Sequence, residues 1–183
     1  MELKTEARIP FPPGVVFAAC RDDVTELRAY LRGIRSIVVT SRVEHGQTVD
    51  LVIDWCAGGD VPGPLRALMG KGAFEWTDTS SWDAGALAVD WCTQTRALGR
   101  ALSCGARDRF LADGAGGTVL EVRGALQVDG AQIPGVPKLL GAVVAPRLEA
   151  YLVARVVTSV VGMSTALATF LSQRTSNPAP AAG

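Results

Sequence analysis

The C-terminal part of the chain constrains the fold more than any other segment. Residues 146–173 form an almost uninterrupted helical pattern, and between Ala150 and Gln173 the only charged side chain is Arg155. A helix of about 28 residues is about 40 Å long. That length would suit a membrane span, so the distribution of side chains around the helix decides the question.

The side chains of this helix divide into two faces. At 100° per residue, Arg155 and the hydroxyl side chains share one arc, and the large apolar residues share the other. The apolar arc comprises Leu152, Val153, Val156, Val157, Val160, Met163, Leu167, Phe170 and Leu171. A membrane span does not need this segregation, so the pattern predicts a core helix and no transmembrane segment. Such a helix needs an extended apolar surface to cover it.

A series of short strands supplies that surface. Residues 2–9 alternate charged and uncharged side chains, as a half-buried strand does. Six further strands are predicted, at 34–44, 47–57, 72–79, 85–93, 100–111 and 117–128. Consecutive strands joined by short turns indicate an antiparallel meander rather than βαβ units.

Two short helices are predicted between the first two strands. Pro12 and Pro13 open the first, because proline suits a helix start, and it runs to Cys20. The second begins at Asp22 or Asp23 and ends at Gly33. The predicted fold class is therefore α+β, with a curved antiparallel sheet of about seven strands wrapped around the long C-terminal helix. Residues 1–174 form one domain, and 175–183 form a disordered tail.

Composition argues against several classes of function. Lys plus Arg and Asp plus Glu number 18 each, and without a basic run we expect no nucleic-acid partner. The one histidine, His45, lies in a predicted turn, and the four cysteines lack metal-ligand spacing, so we expect no metal and no other cofactor. The N-terminus lacks the apolar region of a signal peptide. We expect a cytoplasmic protein with reduced cysteines and no disulfide.

Four motifs carry a resemblance to a known superfamily. Residues 9–17 (IPFPPGVVF), followed by Asp22, resemble the opening of START-like, or Bet v 1-like (SRPBCC), ligand-binding proteins. Residues 60–70 (DVPGPLRALMG), 136–141 (VPKLLG) and Leu148-Glu149 are similar to a bacterial family within that superfamily. Two extra residues, roughly an Ala-Pro, separate Val144 from Arg147, which leaves the start of the long helix open. The resemblance implies a helix-grip fold and a sterol, lipid, polyketide or other apolar ligand.

A curved sheet that does not collapse fully onto one helix leaves a cavity, and such cavities hold apolar ligands. The strand alternation selects the side chains that face inward, and we assign the ligand site to a subset of them and to the helix arc. On the second strand, Ile37, Val39 and Val43 are expected to face inward. The predicted ligand-binding residues are Leu51, Ile53, Trp55, Leu68, Phe74, Trp76, Val89, Trp91, Cys104, Asp108, Phe110, Leu120, Val122, Val156, Val160 and Met163. The alternative is a solid core built from the same residues.

Asp108 has two interpretations. It is in register with Cys104, Ala106 and Phe110, which would place a carboxylate with a raised pKa on the pocket wall. A bulge near Gly105 would instead turn it outward, to pair with an arginine. Each inward tryptophan needs a partner for its indole N–H, which a ligand or a backbone carbonyl could supply. Glu149, in the predicted first turn of the long helix, is assigned to the helix dipole.

The leading hypothesis is a protein that binds or carries an apolar small molecule and is not an enzyme. The alternative is a polyketide cyclase or dehydratase that uses the same pocket, but the predicted inward set contains no paired acids for acid–base chemistry. A third interpretation is an interaction module that forms a homodimer through an outer face. Residues 60–70 are predicted either to cover the pocket mouth as a mobile lid or to form a fixed loop.

Overall fold

The computed structural model describes residues 1–58 and 75–176. The described residues form one antiparallel sheet of seven strands in the order β1-β7-β6-β5-β4-β3-β2. The strands are β1 (Glu2–Ile9), β2 (Ile34–His45), β3 (Thr48–Ala57), β4 (Glu75–Asp83), β5 (Ala88–Thr95), β6 (Leu102–Ala112) and β7 (Thr118–Val128). Apart from the β1–β7 pair, neighbours in the sheet are neighbours in sequence, so the predicted meander is confirmed.

The described residues also form the α-helices α1 (Pro13–Asp22) and α2 (Lys138–Ser176), with short 3-10 helices at Glu26–Tyr30, Gly99–Ala101 and Gly130–Gln132. The sheet curves around α2, which gives the predicted helix-grip architecture. α2 packs closely against β1, β7, α1 and the 3-10 helices at Glu26–Tyr30 and Gly130–Gln132. By length and composition alone it could also cross a membrane, but Leu148, Leu167 and Phe170 are buried in the protein core.

The apolar interior consists of two clusters at opposite ends of α2. The first joins α1 and β3 to the C-terminal half of the helix, and it includes Phe17, Leu51 and Leu167. The second joins β1 to the N-terminal half, and it includes Leu3 and Leu148. Trp91 packs against both clusters from β5. The half-buried middle of α2 lies between them.

The long helix begins earlier than predicted. It starts at Lys138 and continues through Pro146, which lacks the N–H that would bond to the carbonyl of Ala142. Because Ala142 is exposed, water can solvate that carbonyl. The start also packs tightly: a Cβ on Gly141 would collide with the backbone of Gly130, so glycine is needed at this close approach.

The predicted second helix is present but shorter than expected. Only Glu26–Tyr30 is helical, and it is a 3-10 helix. Its hydrogen bonds begin with Glu26 N to Asp23 O, at 2.9 Å. Leu27 is its one buried residue. A segment this short cannot offset the cost of helix nucleation by itself, so it takes the tighter turn that places Leu27 in the core.

One predicted inward position on β2 is also wrong. The pairing of β2 with β3 shifts register between Val39 and Ser41. A one-residue shift exchanges the two faces of a strand. Val43 is therefore 45% exposed, and Arg42 takes the position opposite the buried Leu51. Ile37 is buried and Val39 half-buried, as expected.

Candidate functional site

The inner face of β4 carries an acid that the sequence-based prediction omitted. Cross-strand pairing aligns Trp55 with Trp76 and Ile53 with Asp78, so Asp78 shares the inward face of these residues. The signal was available, because Asp78 is two residues after Trp76, which was assigned inward. The predicted strand ends at residue 79, whereas β4 extends to Asp83, and the prediction does not assign the acid near that end.

Side-chain donors surround the Asp78 carboxyl. Thr93 Oγ1 donates to its Oδ1, and Trp76 Nε1 donates to its Oδ2 at 3.2 Å. Burial raises the pKa of Asp78 to about 6, and the hydrogen bonds from Thr93 and Trp76 oppose that rise. Asp78 is therefore an acid that titrates near neutral pH inside the sheet.

Asp108 faces inward, and no bulge turns it out. The ladders of β6 with both neighbouring strands run through Asp108 without a register shift, pairing it with Val89 and Val122. Trp91 Nε1 donates to Asp108 Oδ1 at 2.8 Å. Burial raises the pKa of Asp108 to about 7; the hydrogen bond from Trp91 opposes the rise, and the negative charge of Asp78 adds to it. The interior thus holds two carboxyls near enough to influence each other.

Two cysteines lie beside these acids. Burial, and then the charge of Asp78, raises the pKa of Cys104 to about 11. On α1, burial, and then the charge of Asp108, raises the pKa of Cys20 strongly. Both side chains therefore remain neutral thiols at neutral pH, and neither is an activated nucleophile.

Trp55 and Trp76 form a stacked pair beside Asp78. Their rings are parallel within 3° and their centroids lie 5.7 Å apart. Trp55 is the diagonal cross-strand neighbour of Asp78, and its indole Nε1–H helps to lower the pKa of that carboxyl without forming a close hydrogen bond to it. This buried donor has no partner among the described residues. A buried polar group without a partner is uncommon in folded proteins.

The helix wall consists of Val156, Val160 and Met163, all half-buried. Val156 packs on the cluster around Leu148, whereas Val160 and Met163 pack on the cluster around Leu167. These side chains belong to the predicted apolar arc, yet they are less buried than Leu148 and Leu167 at the two ends. The middle of the helix is thus the least covered part of its apolar face.

The structure divides the sixteen predicted ligand-binding residues into three groups. Seven are fully buried: Leu51, Ile53, Val89, Cys104, Phe110, Leu120 and Val122. Seven are half-buried: Trp55, Trp76, Trp91, Asp108, Val156, Val160 and Met163. Leu68 and Phe74 lie outside the described residues, as does the predicted lid at 60–70.

The fully buried group includes a closed aromatic cluster. Phe110 contacts Phe17 edge to face, with ring centroids 5.4 Å apart, and Phe17 contacts Trp82 at the same distance. Trp82 Nε1 donates to Ser80 Oγ at 2.9 Å, so this indole N–H has a hydrogen-bond partner. Phe110 therefore contributes to a packed core, whereas the half-buried residues are the better candidates for ligand contact.

No family model and no curated protein matches the chain. Solved structures do match over nearly all of its length. TTHA0849 from Thermus thermophilus is 20% identical, with a TM-score of 0.60, and the alignment covers 91% of this chain and 97% of that one. The Zhui aromatase/cyclase from Streptomyces sp. R1128 is 16% identical, with a TM-score of 0.63, and the alignment covers 100% of this chain and 99% of that one.

A START superfamily protein from Mycobacterium smegmatis is 11% identical, with a TM-score of 0.54, and the alignment covers 94% of this chain and 97% of that one. At these identities the matches concern the fold, not the activity. They confirm the helix-grip fold of START-like and Bet v 1-like proteins that the sequence motifs predict.

Proposed function

We propose that this chain binds or carries an apolar small molecule between the inner face of the sheet and the middle of α2. One observation carries the proposal. Val156, Val160 and Met163 stay half-buried between two separately packed clusters, although they belong to the apolar arc of the helix. Apolar surface left incompletely covered loses roughly 25 cal/mol per Å² of burial free energy, and a ligand seated there would recover it.

The opposite wall supports the proposal. Trp55, Trp76 and Trp91 are half-buried on neighbouring strands, and large aromatic rings supply contact area for an apolar or aromatic ligand. Asp78 and Asp108 add polar groups among these rings. An apolar pocket with a few converging polar groups is the usual composition of a small-molecule site.

An enzyme of the cyclase or dehydratase kind is the second candidate, and the pair of acids favours it. The expectation of an interior without paired acids is wrong, because Asp78 joins Asp108 on the inner face. With pKa values of about 6 and about 7, these groups could accept or donate protons near neutral pH. We rank carriage first because Thr93, Trp76 and Trp91 already bond to the two carboxyls.

Native mass spectrometry of freshly purified protein tests the proposal. We expect a population heavier than the bare chain, with an excess mass that disappears after extraction with organic solvent. The extracted protein should then bind the neutral fluorophore N-phenyl-1-naphthylamine, and the natural ligand should displace it. A protein that purifies bare and does not bind the fluorophore would contradict the proposal. The same spectra report whether the chain is a homodimer.

A further inference from the structure

The charges inside the sheet constrain the chemistry of a ligand. The described inner surface around Trp91 carries two carboxyls, Asp78 and Asp108. Among the described residues, the basic side chain that the register places on the inward side is Arg42, after the shift in β2. Its guanidinium already pairs with Asp22 at 3.0 Å and with Glu44 at 2.7 Å. Within residues 1–58 and 75–176, an anionic ligand would therefore meet like charges without a free inward cation to balance it.

The hydrogen-bonding groups of Trp55 and Asp78 also limit which ligands can bind. Trp55 Nε1–H is a buried donor without a partner among the described residues. Trp55 is also the diagonal cross-strand neighbour of Asp78, because Trp55 pairs with Trp76 and Ile53 pairs with Asp78. Asp78 already accepts one hydrogen bond at each oxygen, from Thr93 and from Trp76. A carboxylate oxygen has two lone pairs, so Asp78 can accept a further hydrogen bond. One free donor and one free acceptor thus lie side by side.

We infer that this site selects an uncharged ligand that carries a hydroxyl group on an apolar skeleton, with the hydroxyl held between Trp55 and Asp78. A hydroxyl oxygen can accept from the indole while its hydrogen is donated to the carboxylate. An ether or ketone oxygen can use only the indole when Asp78 is ionised, and a carboxylate ligand is repelled. Trp55 is therefore the residue that determines specificity for a hydroxyl group. The inference rests on the proposed apolar-ligand function.

Four compounds with one common skeleton test the inference: naphthalene, 2-methoxynaphthalene, 2-naphthol and 2-naphthoate. Affinities are measured by equilibrium dialysis at pH 8, above the pKa values of both carboxyls. 2-Naphthol should bind at least about tenfold more tightly than naphthalene, since each net hydrogen bond contributes about fivefold to tenfold. 2-Methoxynaphthalene should fall between them, and 2-naphthoate should bind most weakly.

The variant Trp55→Phe keeps an aromatic ring but removes the N–H. It should reduce the preference for 2-naphthol over naphthalene about fivefold, and circular dichroism should show an intact fold. Trp82→Phe is the matched control, because it removes an indole N–H that is already bonded to Ser80 in the closed cluster. The preference should survive in this variant.

Three outcomes would count against the inference. If naphthalene and 2-naphthol bind equally, or if Trp55→Phe keeps the full preference, the hydroxyl site is wrong while the apolar-ligand function stands. If 2-naphthoate binds most tightly, the electrostatic argument is wrong. If none of the four compounds binds, the proposed function fails together with the inference.

Discussion

Trp91 on β5 donates its indole N–H to Asp108 on β6, with 2.8 Å between Nε1 and Oδ1. The two residues are not direct cross-strand partners, since Trp91 pairs with Ala106 and Asp108 pairs with Val89. The bond therefore runs diagonally across the inner face, at the point where Trp91 contacts both apolar clusters. The hydrogen bond therefore joins Asp108, an acid of the candidate site, to Trp91, which packs against both apolar clusters.

Removing this donor should raise the pKa of Asp108 further. In Trp91→Phe the aromatic ring remains, but the hydrogen bond that favours the ionised carboxylate is lost. We expect a rise on the order of one pKa unit, measured by carbon-13 NMR titration of the carboxyl. Trp82→Phe, which removes an indole N–H that is bonded to Ser80 rather than to Asp108, should leave the titration unchanged. An unaltered pKa in Trp91→Phe would show that the bond does not persist in solution.

The buried acids should make the protein less stable as the pH rises. Burial raises the pKa of Asp108 to about 7 and that of Asp78 to about 6, from an ordinary 3.8. Between about pH 4 and pH 7 the folded state therefore holds more protons than the unfolded state. The stabilisation is fully present below about pH 4 and is lost as the pH rises through the folded-state pKa values.

The variant Asp108→Asn should reduce that dependence. The free energy of unfolding is measured with urea at pH 5 and at pH 8. Between these pH values the wild type should lose about 2–3 kcal/mol more than the variant, because each pKa unit corresponds to about 1.36 kcal/mol. Asp50→Asn is the control, because its side chain is 50% exposed on β3. If Asp108→Asn and the wild type lose equal amounts of stability, Asp108 is solvated.

Filling the space beside the helix should block ligand binding. Val160 packs on the same apolar cluster as Trp55 and Trp91, so Val160→Trp should fill the proposed ligand space and abolish N-phenyl-1-naphthylamine binding. Its loss of unfolding free energy should be smaller than the roughly 1–3 kcal/mol that overpacking a solid core costs. The adjacent Val161 is 52% exposed, so Val161→Trp should bind normally. A solid interior would give a different result: Val160→Trp would then be strongly destabilised by overpacking.

Glu149 should stabilise the fold as a hydrogen-bond acceptor rather than through the helix dipole. Because α2 begins at Lys138, Glu149 lies several turns into the helix, and its Oε1 accepts from the backbone N–H of Val128 at 2.7 Å. Glu149→Ala should cost about 1–3 kcal/mol by leaving that N–H unsatisfied. Glu149→Gln keeps an acceptor and should cost less. Equal losses, measured by urea unfolding, would favour an electrostatic role.

Much of the fold was determined by local sequence patterns. The alternation of Val49, Leu51 and Ile53 places these residues inward, and all three are buried. The apolar arc of the long helix was likewise predicted correctly at Leu167 and Phe170, which lie in the core. These patterns are reliable because the side-chain periods of strands and helices follow from backbone geometry alone.

The tertiary structure decided the features that depend on contacts between distant segments. The register shift that exposes Val43 arises in the pairing of β2 with β3. The true start of α2 depends on the close approach of Gly141 to Gly130. Neither the pairing nor the approach is encoded by the period of one segment, so the sequence-based prediction failed at both places.

The candidate site shows the same division. The sequence by itself determined that Trp55, Trp76 and Trp91 share one face of the sheet, because strand alternation fixes the side to which each points. It left Asp108 open between the inner face and a bulge, and the unbroken ladders of β6 decided for the inner face. The same alternation places Asp78 there, two residues after Trp76, although the prediction omitted it. Only the assembled sheet decided that Trp91 bonds to Asp108 and that Trp55 Nε1–H has no partner among the described residues. Hydrogen-bond partners and pKa values depend on distances between strands, and those distances exist only once the sheet has closed around the helix.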